Sequence, residues 1–173
     1  NINQSIKGIK IGIIKEFNLS DLDAKIQKRF DESKKAFEKL GAEFIEVSLS
    51  NISESVPTYY SIAPAECSSN LSRFDGVRFG HRAENTDDLN DLYIKSRSEG
   101  FGDEVKRRIL IGTYALSAGY YDAYYKKAQQ VRRLIKNDFD QVFKSVDLLM
   151  TPTSPSTAFK FESNGTQNPV ELY

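Results

Sequence analysis

The chain has 173 residues, 39% of them hydrophobic, with 24 basic and 24 acidic residues that cancel to a formal charge of zero. That is enough apolar material for one ordinary core and suggests one domain, and the zero balance argues against a nucleic-acid binder working by bulk electrostatics. No apolar run approaches the roughly 20 residues of a membrane span, there is no signal-peptide core, and the lone Cys67 excludes an internal disulfide and fits a reducing, cytoplasmic setting.

Residues 9–14 (IKIGII) form a short β-rich run. Ser20 is placed to cap the helix that follows, with Asp23 answering it as an imperfect capping box. Leu22, Ile26, Phe30, Phe37 and Leu40 recur at helical steps and predict one apolar stripe. Gly41 stands where a left-handed cap is wanted. Ile45, Val47 and Leu49 then alternate with polar residues, so 43–49 reads as a strand. Strand, helix, strand over 9–49 is a βαβ unit.

A helix is predicted for 58–73, started or bent by Pro57 and Pro64. FDGVRFG at 74–80 reads as a loop. Asp87 or Asp88 can start a helix that runs to about Glu99 and ends at GFG. From Tyr121 to Val146 an apolar face recurs at helical spacing, through Tyr124, Tyr125, Ala128, Val131, Ile135, Phe139 and Val142. The other face carries Lys126, Lys127, Arg132, Arg133 and Lys136. That run reads first as a solvated face and second as a contact for a polyanion such as tRNA. Residues 58–145 are thus a helical region, and 146–159 supply a short strand, VDLLM, and a proline loop. Beyond Pro155 nothing reads as a finished C-terminus, so the chain is read as a piece of a longer one.

The densest signal lies between Ser96 and Tyr125, SRSEGFGDEVKRRILIGTYALSAGYYDAYY. Four glycines in a helical stretch, each costing ~1 kcal/mol relative to alanine inside a helix, imply close backbone approach or unusual dihedrals. Self-contained catalytic machinery is missing. One histidine, His81, rules out multi-histidine metal sites. No phosphate-binding glycine loop, no G-x-S-x-G and no Ser-x-x-Lys occurs. Cys67, in AECSSNLSRF, reads as a packed residue, and so do Ser68 and Ser69.

The segments YYSIAPAECSSNLSRFDGVRFG, SRSEGFG–EVKRRI–IGT–LSAGYYDAYY and DLLMTPTSPSTAF together closely resemble the amidase-signature family. YYDAYY, RSEGFG and FDGVR point to its tRNA-dependent amidotransferase branch. The resemblance runs from Ile9 onward. It implies an α/β amidase-signature fold, a mixed sheet flanked by helices, of which this chain is a helix-rich part lacking the signature segment. It implies a parent subunit that hydrolyses glutamine through a serine acyl-enzyme and supplies ammonia to convert Glu-tRNA(Gln) to Gln-tRNA(Gln), or Asp-tRNA(Asn) to Asn-tRNA(Asn).

By the same resemblance the catalytic serines and lysine lie outside this chain, which is expected to be inert alone. The amidotransferase's B and C subunits are implied as partners. ATP and magnesium belong to the partner and not to this chain, and misacylated tRNA is reached through the B subunit. Two positions carry over. Arg108 corresponds to the arginine that holds the glutamine α-carboxylate, a bidentate task that suits a guanidinium. Tyr59 corresponds to the tyrosine that closes the pocket, with Tyr60 as the fallback. Lys106 and Arg107 read as surface ion pairs. An acidic partner for the substrate amino group is implied beyond Tyr173. Two other readings stay open: an amidase-signature hydrolase without partners, and a non-catalytic α/β interaction module.

Overall fold

The computed structural model describes residues 4–17 and 22–158. These fall into two compact units, one of the described residues up to 53 and from 134 onward, and one of residues 54–133.

The first unit is built on a three-stranded sheet. Strand β1 (Lys10–Ile14) lies between β2 (Glu43–Val47) and β3 (Leu148–Met150), and both pairings are parallel. Ile11 faces Phe44 on one side and Leu148 on the other, which fixes the register. A central strand reads as a nearly unbroken apolar run, and IGII is one. Of the mixed sheet that the resemblance implies, the described strands are thus a wholly parallel part. Asp147 holds the strand ends together. Its Oδ2 accepts from Lys10 N at 2.9 Å, and Asp147 N returns a bond to Lys10 O at 2.8 Å.

Helix α1 (Ala24–Lys39) makes the crossover from β1 to β2. Its cap differs from the expectation. Ser20 lies outside the described residues, and Asp23 itself is the N-cap, accepting from Lys25 N at 2.8 Å. The helix therefore begins after Leu22, and Leu40 sits at its C-cap. Only Phe30 of the predicted stripe is buried, while Phe37 and Leu40 are exposed. Gly41 does adopt the left-handed conformation, with φ of 92°. The core of the unit is aliphatic: Ile14, Val47, Leu49, Val142 and Val146, with Ile45, Ile52, Phe139 and Leu149 packed on it.

The second unit is helical. Helix α2 (Ser55–Leu71) starts a turn earlier than its prolines suggest. Pro57 sits in the first turn, where no intrahelical N–H bond is lost, while Pro64 lies inside. Helix α3 (Leu89–Gly100) has Asp88 as its N-cap, accepting from Asp91 N at 2.8 Å. The loop before it is fixed to α3. Arg97 donates to Leu71 O and Phe74 O, both at 2.9 Å, and Ser96 Oγ accepts from Ala83 N at 3.0 Å.

Helix α4 (Asp103–Ala115) follows almost without a break. A turn through Gly119, φ 88°, then leads to a π-helical turn at Asp122–Lys126, marked by the bond from Lys126 N to Tyr121 O at 3.0 Å. Helix α5 (Lys127–Val142) continues from it. The apolar face predicted to run unbroken from Tyr121 is interrupted there: Tyr121 and Tyr124 are exposed, and burial begins at Ala128. The basic face is exposed, with Lys126 bonded to Asp122 at 3.1 Å and Lys136 to Asp140 at 2.5 Å.

Candidate functional site

The site lies in the helical unit, where α4 packs on α2. Arg108 stands in the second turn of α4, one turn beyond Glu104. The spacing places an acid four residues before a base, the favourable order on a helix. Arg108 Nε donates to Glu104 Oε1 at 3.0 Å, and Nη1 donates to the Tyr59 hydroxyl at 3.1 Å. Forty-nine residues separate the two partners of that second bond. The two expected site residues are therefore brought into direct contact.

The Arg108 side chain is 24% exposed, and Tyr59 is half-exposed. The bonds from Arg108 to Tyr59 and to Glu104 raise its pKa, so the guanidinium is a permanent cation here. Among the described residues no hydrogen bond involves its Nη2. A guanidinium held at Nε and touched at Nη1 still presents donors to an incoming carboxylate. Tyr60, the alternative to Tyr59, turns its ring edge-on to it, with centroids 5.4 Å apart, and its hydroxyl is buried. The other two basic residues of the KRR run are occupied locally: Lys106 with Asp103 at 3.0 Å, and Arg107 with Glu104.

Glu104 was not singled out from the sequence, although the i,i+4 spacing to Arg108 was available there. Nor was the contact that sets the two helices together. Gly112, one turn beyond Arg108, lies on the backbone of α2. A Cβ added to it would stand 1.9 Å from Pro64 O and 2.9 Å from Ala65 N.

The tyrosine-rich segment forms a separate exposed cluster. Tyr114 and Tyr120 have centroids 4.2 Å apart, and both lie about 6 Å from Tyr124. The hydrogen bond with Tyr120 pushes the Tyr114 hydroxyl up to about 12. Tyr125 donates to Glu66 Oε1 at 2.7 Å, and that bond raises its pKa too. His81 pairs with Glu99 at 2.7 Å on the surface. Ser68 is buried in α2 and bonds back to Ala65 O at 3.0 Å, as a packing residue does; Cys67 beside it is half-buried. Among the described residues no group of three or more acidic, histidine or cysteine side chains could hold a metal, and no helix is long and apolar enough to cross a membrane.

The model of the amidase family matches residues 1–173. The chain belongs to the amidase family. The A subunit of glutamyl-tRNA(Gln) amidotransferase from Hahella chejuensis is 61% identical over 170 residues, 98% of this chain and 35% of that protein. Its counterpart from Fusobacterium nucleatum, of the same name, is 57% identical over 172 residues, again 35% of its length. This chain thus spans about a third of the curated relatives it matches. Among solved structures, the glutamyl-tRNA(Gln) amidotransferase A subunit from Thermotoga maritima superposes with a TM-score of 0.65 at 38% identity, covering 97% of this chain and 31% of that one. An amidase at 20% identity, TM-score 0.61, covers 88% of this chain and 29% of its own and shares the fold. The amidase-signature fold is therefore established for this member of the family.

Proposed function

We propose that this chain is part of the glutamine-hydrolysing subunit of a tRNA-dependent amidotransferase and forms one wall of its glutamine pocket. The observation that carries this reading is the contact of Arg108 with Tyr59, made between distant parts of a chain whose relatives bear that enzyme's name. Arg108 receives the α-carboxylate through its remaining N–H groups. Glu104 holds Nε, so the guanidinium plane is set before the substrate arrives and less freedom is lost on binding. Tyr59 closes the pocket and lends its hydroxyl to the same end of the substrate.

The nucleophile and base come from parts of the subunit outside this chain, so the piece alone is inactive. The ammonia passes to partner subunits, B and C by the family's pattern. There ATP and magnesium support amidation of glutamate or aspartate carried on tRNA, and the complex works in the cytoplasm. Relatives at 57–61% identity carry the amidotransferase name, so the lone-hydrolase and interaction-module readings are not favoured.

The test is Arg108→Ala in the full-length subunit within its complex. Losing a charge-assisted contact costs roughly 1.5–3 kcal/mol, so the glutamine KM should rise about ten- to a hundredfold. Unchanged glutamine kinetics would remove Arg108 from the pocket.

A further inference from the structure

We infer that Gly112 is a positioning residue for the glutamine site, acting through the seat it forms on the Pro64–Ala65 peptide. The inference rests on the reading of Arg108 and Tyr59 as carboxylate ligands. Two contacts join α2 and α4 here, and they advance together along both helices: Tyr59 with Arg108, then Pro64 with Gly112. On α4 the two are four residues apart, so Gly112 lies on the face of Arg108 and only about 6 Å along the axis.

The atoms opposing Gly112 are backbone. A Cβ would meet Pro64 O at 1.9 Å, Pro64 C at 2.4 Å and Ala65 N at 2.9 Å. No rotamer change can relieve such a clash, because a peptide inside a helix has no alternative position. Pro64 and Ala65 are themselves buried. The absent side chain at Gly112 therefore sets how closely α4 approaches α2, one turn from the 3.1 Å bond between Arg108 and Tyr59. Any side chain there moves the arginine away from the tyrosine while leaving both residues intact.

The experiment is glutamine kinetics on the full-length subunit in its complex, for Gly112→Ala, Arg108→Ala and the double variant. A displacement of about 1 Å in a binding group costs up to about a hundredfold, so Gly112→Ala should raise the glutamine KM about tenfold or more. A loss confined to the carboxylate grip leaves kcat within about threefold. In the Arg108→Ala background the same substitution should add less than about twofold, since the contact it acts through is already gone.

A folded Gly112→Ala enzyme with unchanged KM, beside an Arg108→Ala enzyme with raised KM, overturns the inference alone. So does a fully additive double variant, which would mark a merely structural effect. An unchanged KM in Arg108→Ala overturns the pocket reading and this inference with it. If Gly112→Ala does not accumulate as folded protein, Pro64→Ala takes its place. It restores the N–H on the peptide just before the seat and removes the ring's clash with the Tyr60 carbonyl, so the helical turn that carries the seat straightens; a raised KM is expected, and an unchanged KM there overturns the inference.

Discussion

Gly12 in the sheet unit and Gly112 in the helical unit meet opposite kinds of neighbour, and the difference shows where this protein tolerates change. In the sheet unit Gly12 lies in β1 beneath side chains. A Cβ there would meet Leu149 Cδ2 at 2.7 Å, Val47 Cγ2 at 3.1 Å and Val146 Cγ2 at 3.3 Å. All three are ends of side chains in an aliphatic core, and a core of that kind yields by rotamer shifts. In the helical unit Gly112 lies on a carbonyl and a peptide nitrogen, which yield only if a helix moves. The sheet is thus held by side-chain packing, and the paired helices that carry Arg108 and Tyr59 by backbone approach.

The largest effect that sharpens this comparison belongs to the sheet core. Leu49 is fully buried in the aliphatic cluster, and Leu49→Ala should cost about 3–4 kcal/mol in transfer and cavity terms. Hydrogen exchange should show β1 and β2 losing amide protection before α2 and α4. Equal loss in both units would mean that they unfold as one and that the contrast between them has no energetic meaning. Next come the two glycines. Gly112→Ala should destabilise by about 2–3 kcal/mol, the upper part of the range for overpacking, even though alanine is the better helix former. Gly12→Ala should cost about 1–2 kcal/mol, because its neighbours can turn aside. Chemical denaturation of the two variants side by side checks the order, and a reversed order would break the comparison.

Much of the sheet unit was legible in the sequence because its signals are local. Alternation marked β2, an apolar run marked β1, and Gly41 marked the end of α1. The α1 stripe was legible but misleading. Helical spacing shows which residues share a face and not what covers them, and Phe37 and Leu40 stay exposed. In the helical unit, the sequence marked the loop glycines and a helix start at Asp87 or Asp88, of which Asp88 is the cap. The π-helical turn at Asp122–Lys126 did not, since one extra residue in a turn barely alters the spacing of tyrosines already frequent there. The glycines of the 96–125 segment pointed to close approach, yet nothing in the sequence says that Gly112 meets Pro64. That pairing depends on how α4 crosses α2. Arg108 and Tyr59 were named by family likeness, and Glu104, four residues before Arg108, was missed because an i,i+4 acid–base pair is common on any exposed helix.

Smaller effects test whether local caps matter as much as packing in the sheet unit. Asp23→Ala removes the acceptor for Lys25 N at the start of α1 and should cost about 1 kcal/mol, read as a lowered denaturation midpoint. Asp23→Asn, which keeps an acceptor, should restore most of it.

The smallest is a pH effect at the end of β1. Glu16 accepts from the Ser48 hydroxyl and from Leu49 N at 3.0 Å, tying the chain after β1 to the chain after β2. Partial desolvation pushes its carboxyl up, but the bonds from Ser48 and Leu49 outweigh that and hold it below the ordinary 4.5. A carboxyl whose pKa is lower folded than unfolded favours the fold when ionised. Its contribution is complete above about 4.5 and fades as the pH falls through the depressed folded value. Glu16→Gln should therefore be less stable than the parent chain at neutral pH, and the gap should close as the pH falls below 4.5. The carboxylate is exposed, so the gap is small and should shrink further in salt. Denaturation midpoints of both proteins from neutral pH down to well below 4.5 measure it. A gap that stays constant across that range would mean that the amide serves Ser48 and Leu49 as poorly at every pH, and that the charge on Glu16 contributes nothing to holding the two strand ends together.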